Sequence, residues 1–314
     1  MQVFSIPMVT RFRGITVREG LIFEGPAGWS EFSPFLDYDN TQSAPWAAAA
    51  IASAQHDWPA PLRDVIPVNC TVPAVGPEAA ARIVLASNGC RTAKIKVADP
   101  GQRLADDIAR VEAVRDALGP GGKIRVDVNG LWSVDEAIAG ITQLDRAAGG
   151  LEYVEQPCRT VEELAAVRRR VEVPIAADES IRRAADPMRV VELDAADIAV
   201  LKVQPLGGVA ACLRIAEQIG IPVVVSSALE TSIGLAAGIA LAAALPELPY
   251  ACGLATTSLL TADVVARPLT PVDGTLPVGR TVADPDRLAA VAADDETRAR
   301  WTARFDAIRK DLGS

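Results

Sequence analysis

Lysine is scarce in this chain: of 31 basic residues only Lys94, Lys96, Lys123, Lys202 and Lys310 are lysines. Three of them, Lys94, Lys96 and Lys202, stand late in short apolar runs over residues 93–97 and 198–203. Arginine holds its proton throughout the physiological range, whereas burial and like charge can tune a lysine toward neutrality. Lysine kept at these three places therefore points to proton transfer. Three carboxylates end neighbouring runs in the same way: Asp127 in residues 123–128, Glu155 in 151–155 and Asp178 in 173–178. Gathered into one site they would repel one another and rise in pKa, a cost that a divalent cation with oxygen ligands removes. The run ends carry no His or Cys, which counts against zinc; Mg²⁺, or Mn²⁺ in its place, suits a partly hydrated carboxylate site. The competing reading of the same charges is a set of ion pairs filling a barrel.

Such residues need a frame that brings run ends together. From about residue 65 the chain alternates short β-branched runs with helical patterns. The runs cover 66–72, 93–97, 123–128, 151–155, 173–178, 198–203 and 221–226, with 249–254 as an eighth. Seven or eight such units predict a (β/α) barrel, an α/β fold whose active face lies at the C-terminal strand ends. An open doubly wound sheet would carry a Gly-rich fingerprint after its first strand. Here that run is followed by Pro73-Ala74-Val75-Gly76-Pro77. Strand parity puts Lys94 with Lys96 on one face, Arg125 with Asp127 and Asn129, and Val200 with Lys202 and Gln204. Residues 3–6 and 11–24 alternate like antiparallel strands, 25–34 reads as a Gly/Pro-rich loop, and 43–55 as a helix. Residues 1–62 are thus expected to form an α+β cap and 63–255 the barrel. A tail over 256–314, ending in a helix at 296–312, is expected to complete the cap.

Composition narrows the partners. The chain has 314 residues, half of them hydrophobic, and a net charge of −9. With a pI near 4.8, it is a poor match for nucleic acid or an anionic membrane. The N-terminus lacks a signal-peptide layout. The longest apolar run, 233–245, is too short to span a bilayer and contains Gly234 and Gly238, so it reads as a buried helix. Five dispersed cysteines without a CxxC pair read as small buried hydrophobes of a reduced, cytoplasmic protein. A monomer acting on a small-molecule carboxylate, without membrane insertion, is compatible with all of this. The sole histidine, His56, reads as a surface or inter-domain residue, and no GxSxG elbow is present.

Taken together, Lys94-Ile95-Lys96, Asp127-Val128-Asn129-Gly130, Val154-Glu155-Gln156-Pro157, Ala177-Asp178-Glu179-Ser180 and Leu201-Lys202-Val203 resemble the enolase superfamily. They are most similar to its muconate lactonising enzyme subgroup, and the likeness covers nearly the whole chain. The resemblance implies a (β/α)7β barrel, a modified TIM barrel, behind a capping domain. It implies Mg²⁺ on Asp127, Glu155 and Asp178, with Asn129 and Glu179 supporting them. Lys96 would be the general base, Lys94 would lower its pKa and help hold the substrate carboxylate, and Lys202 would face the opposite side of the substrate. The chemistry implied is removal of a proton next to a carboxylate.

Within that subgroup, Trp29-Ser30-Glu31-Phe32-Ser33-Pro34-Phe35 and residues 226–234 look most like members that dehydrate a succinyl-bearing cyclohexadiene carboxylate on the route to menaquinone. In that likeness Ser33, Phe35, Ser226 and Ser227 would contact substrate. The helix expected from Ser232 would offer its free N–H groups to the distal carboxylate; alternatively the two serines simply cap that helix. The dipeptide epimerases of the subgroup carry a DxD motif where this chain reads Tyr250-Ala251-Cys252-Gly253-Leu254. Racemisation of an N-succinylamino acid and muconate cycloisomerisation use the same charged set, and a catalytically inactive barrel scaffold is the reading outside enzymes.

Overall fold

Short runs rich in Val, Ile and Ala form strands here because one face packs under helices while the other fills a closed sheet. A computed structural model of the chain describes residues 1–183 and 187–312; the last two residues of the expected tail lie outside them. Strands β1 (Gln2–Phe12), β2 (Ile15–Gly25) and β3 (Gly28–Phe32) form an antiparallel sheet in chain order. β3 lies inside the segment expected to be a loop. Gly25 pairs with Gly28 across Pro26-Ala27, so the Gly/Pro signal marks a tight turn rather than a long loop. Helix Asn40–Gln55 follows, capped by Asp39 and Gln42 in a reciprocal box.

The first barrel run splits in two. β4 (Val65–Pro67) turns away to pair antiparallel with β12 (Thr275–Pro277), while β5 (Cys70–Val72) enters the barrel. After β5 come β6 (Thr92–Lys96), β7 (Lys123–Asp127), β8 (Tyr153–Glu155), β9 (Ile175–Ala177), β10 (Ile198–Leu201) and β11 (Val223–Val225). These seven are parallel and neighbour one another in chain order. Residues 252 and 253 close the ring as an eighth stave: Cys252 bridges Val68 and Gly253 bridges Ser226, both in parallel sense. Asn69 N–H donates to the Cys252 carbonyl at 3.0 Å and Gly253 N–H to the Val225 carbonyl at 2.8 Å. The fold is a (β/α)7β barrel with an N-terminal α+β cap.

The interior of the ring holds Tyr153, Ala176, Ile198, Val200 and Val224. Below the charged site, fully buried Arg125 bonds Glu152 at 2.5 Å and the Ala251 carbonyl at 2.6 Å, which ties β7 to the closing stave. The apolar run becomes helix Ser232–Ala244, buried through Ala243. No helix among the described residues is long and apolar enough to cross a membrane. A second core, with Phe4, Phe32, Trp46, Trp301 and Phe305, joins the cap to the C-terminal helix Asp295–Leu312 and takes in Leu229 and Ile233 from the barrel side. The five cysteines are free and buried, and His56 is exposed at the end of helix Asn40–Gln55.

Candidate active site

Strand register assembles the charged residues. In the parallel ladder Lys96 lies opposite Asp127, and Asp127 opposite Glu155, while Lys94 lies opposite Arg125. Asp178 and Lys202 follow directly after β9 and β10. Residues in register on a parallel sheet point the same way, so the acids converge at the C-terminal rim. All three are at most 1% exposed. Cations interleave with them. Lys94 Nζ lies 2.5 Å from Glu155 and 2.9 Å from Asp127, Lys96 Nζ 2.5 Å from Asp127, and Lys202 Nζ 2.6 Å from Asp178. Arg182 reaches Asp178 at 2.9 Å and Glu179 at 2.6 Å.

Burial and this pattern split the protonation preferences. Burial alone would raise Asp127, but Lys94 and Lys96 outweigh it and hold the carboxyl well below its usual range. Glu155 goes the other way: burial, then the neighbouring Asp127 charge, raise it to about 7. Burial opposes the Lys94 charge, yet Asp127 and Glu155 raise its pKa well above the ordinary lysine value. Lys96 is lowered, by burial first and by Lys94 beside it, with Asp127 acting against both. Paired groups pushed apart in this way are the usual arrangement for acid–base work.

The donor set is all hard oxygen, and Glu155 Oε2 is buried with no hydrogen-bond partner. An orphaned carboxylate oxygen between two further carboxylates fits a hard divalent cation. Among the described residues no three His, Cys, Asp or Glu side chains already form a closed cage, because ammonium and guanidinium groups stand between the acids. Around them, Asn129 adopts a left-handed φ of 52°. Its N–H donates to Asp127 Oδ1 at 3.0 Å, its Oδ1 accepts from Lys96 at 2.8 Å, and its Nδ2 donates to Glu179 at 3.3 Å. Gln156 also fixes the site: its Oε1 accepts from the Asp178 and Ser180 amides at 3.0 and 3.2 Å.

A small cavity opens over these groups, walled by Phe12, Arg13 and Phe35 from the cap and by Thr71, Ser226, Ser227 and Thr256 from the barrel side. Of the residues expected to contact substrate, Phe35, Ser226 and Ser227 line this cavity. Ser33 does not line the cavity. It is fully buried, donating to Glu31 at 2.6 Å and accepting from Arg18 at 2.9 Å. The N-terminus of helix Ser232–Ala244 is likewise not open to a ligand. Its cap is Thr231, not the serines. Glu31 Oε2 accepts from the Thr231 and Gly234 amides at 3.0 and 3.1 Å, and Asp263 from the Ser232 amide at 3.2 Å. The protein's own carboxylates fill the anion-attracting end. Sequence reasoning missed Phe12, Arg13, Thr71, Thr256 and Arg182; only Arg182 had a local signal, four residues after Asp178 on one helical turn.

Comparison with known proteins settles the family. A family described as "Enolase C-terminal domain-like" matches residues 77–284, and "Enolase N-terminal domain-like" matches residues 3–54. An o-succinylbenzoate synthase of Thermobifida fusca (strain YX) is 65% identical over 308 residues, 98% of this chain and 95% of that protein. The chain belongs to the o-succinylbenzoate synthase family of the enolase superfamily. It is therefore an enzyme, a carbon–oxygen lyase, and superfamily membership implies dependence on a divalent metal. The o-succinylbenzoate synthase of Mycolicibacterium smegmatis (strain ATCC 700084 / mc(2)155) is 56% identical, covering 97% of this chain and 93% of that one. The muconate lactonizing enzyme of Pseudomonas fluorescens, solved with muconolactone, superposes with TM-score 0.78 at 22% identity, covering 93% and 97% of the two chains. The L-Ala-D/L-Glu epimerase of Bacillus subtilis gives 0.75 at 24%, covering 90% and 95%. At those identities the structural likeness speaks to the synthase-family fold alone.

Proposed function

We propose that this enzyme dehydrates 2-succinyl-6-hydroxy-2,4-cyclohexadiene-1-carboxylate to 2-succinylbenzoate, with Lys96 as the base and Asp127, Glu155 and Asp178 as holders of Mg²⁺. Menaquinone synthesis is the pathway that this reaction implies. The observation that carries the reading is the opposition of two cavity lysines. β6 and β10, which bear Lys96 and precede Lys202, stand four staves apart whichever way the eight-stave ring is counted.

Lys96, unprotonated, takes the ring proton next to the carboxylate, and the C–H electron pair moves into that carboxylate as an enediolate. The cation supplies Lewis-acid neutralisation of the charge that develops there. Lys202, paired with Asp178 at 2.6 Å, stabilises the same charge from the opposite wall. The enediolate pair then re-forms the ring double bond and expels the hydroxyl. Lys96 returns its proton to that oxygen, water leaves, and the ring is aromatic. Asn129 and Asp127 hold the Lys96 amine at the cavity floor, so one group serves both proton steps on one face.

Turnover followed in the ultraviolet, with Mg²⁺ and then with EDTA, tests this directly. Metal-dependent conversion abolished in Lys96→Ala supports it, and absence of turnover with Mg²⁺ bound refutes the substrate. The opposed lysines also suit two-base racemisation of an N-succinylamino acid, and muconate cycloisomerisation uses the same charged set. Lys202→Arg separates racemisation from dehydration, because arginine keeps the charge but cannot take a proton.

A further inference from the structure

Most cations that line the cavity are committed to its acidic floor. Lys94, Lys96, Lys202 and Arg182 each pair with a buried carboxylate at the metal end. Arg13 is different. Its carboxylate partner Asp37 is 56% exposed, and the pair meets at 3.2 and 3.4 Å. An ion pair of this kind contributes little and exchanges readily.

Arg13 also holds an unusual place. Phe12 pairs with Ile15 across Arg13-Gly14, and both turn residues have positive φ, 50° and 79°. Tight hairpin turns of that type favour Asn-Gly, since an ordinary side chain is strained at positive φ. The turn itself gains nothing from arginine. The side chain, however, rests on the cavity wall, with its guanidinium carbon 3.9 Å from the centre of the Phe35 ring. Arg18 backs that ring at 4.7 Å and donates to the Leu229 carbonyl at 2.9 Å, so the wall on which Arg13 rests is tied to the barrel.

We propose that Arg13 anchors the distal carboxylate of the substrate, exchanging its exposed Asp37 for it. The amides at the start of helix Ser232–Ala244, the other anion-attracting groups near the cavity, are filled by Glu31 and Asp263. A planar guanidinium fork matches a carboxylate through two parallel bonds, and the Phe35 face keeps it in orientation. The inference rests on the proposed succinyl-bearing substrate.

Calorimetry on the Mg²⁺-loaded enzyme with 2-succinylbenzoate and with 2-butanoylbenzoate, in which a methyl replaces the distal carboxylate, separates the two. The wild type should bind the succinyl compound about 30-fold more tightly, the scale of a hydrogen bond to a charged group. Arg13→Met should bring that ratio close to one without weakening the butanoyl compound. Arg13→Lys should restore part of it, and the loss in turnover should fall mainly on KM. Equal weakening of both ligands, or an unchanged ratio, overturns the assignment while leaving the dehydration reading intact if the wild type still turns over substrate. A wild type that neither turns over substrate nor binds either compound overturns both.

Discussion

Glu31 fastens the cap to the barrel, and neutralising it should change how stability depends on pH. Its side chain is 2% exposed and accepts from the Thr231 hydroxyl at 2.5 Å, from the Thr231 and Gly234 amides, and from Ser33 at 2.6 Å. Burial, followed by the charge of Glu230, raises it from the ordinary 4.5 to about 7, against the opposing bonds from Ser33 and Thr231 and the Arg18 charge. A folded pKa above the unfolded one means that the native state binds the proton more tightly. The stabilisation is then complete below about pH 4.5 and is lost as pH rises through 7. At about 1.4 kcal/mol per pH unit, the span from 4.5 to 7 corresponds to roughly 3 kcal/mol. The Thr231 and Gly234 amides favour the anion, so that figure is an upper bound.

Glu31→Gln keeps an acceptor oxygen for those amides and removes the titration. Urea unfolding of both proteins, stepped from pH 5 to pH 8.5 at constant Mg²⁺, isolates the effect as a difference. Relative to wild type, the variant should gain about 2 kcal/mol of stability across that range. A difference that stays flat with pH would show that Glu31 remains charged in the folded protein throughout, and the reasoning from burial would be refuted.

Other perturbations reach the site. Lys96→Ala should lower kcat by about 10³-fold, within the range for loss of a general base, while calorimetry still shows Mg²⁺ binding. Lys202→Arg should keep measurable dehydration and abolish any exchange of the α-proton of an N-succinylamino acid, followed by NMR in D₂O. Glu155→Gln should weaken Mg²⁺ at least tenfold. In EDTA it should also flatten the loss of stability as pH rises through about 7, because Glu155, like Glu31, has a raised pKa. Arg125→Met should cost about 3 kcal/mol in urea unfolding, since it strands Glu152 and frees the Ala251 carbonyl of the closing stave.

What could be read from sequence and what could not divides along one physical line. Lys94 and Lys96, sharing one run, and Asp127, Glu155, Asp178 and Lys202, each in a run of its own, were legible because they fall toward the ends of short apolar runs. Parity within a run fixes which side chains share a face, and a parallel ladder then places successive run ends side by side. Lys96 opposite Asp127, and Asp127 opposite Glu155, need no knowledge beyond strand order. The seam between cap and barrel has no such local code. Glu31 meets Thr231 across 200 residues and Arg18 meets Leu229 across 211. Nothing in the spacing of either partner distinguishes a buried carboxylate that caps a distant helix from an exposed one in a loop. That is why Ser33 read as a substrate contact and the helix N-terminus as an anion site: both depend on where Glu31 goes. The eighth stave was faintly legible, since residues 249–254 close the ring by two isolated bridges rather than a full strand. The chemistry of the floor thus follows from local repeats, while the shape of the roof depends on long-range contacts. Substrate choice among enzymes sharing this floor must therefore be sought in the cap residues, with Arg13 and Phe35 the first to change.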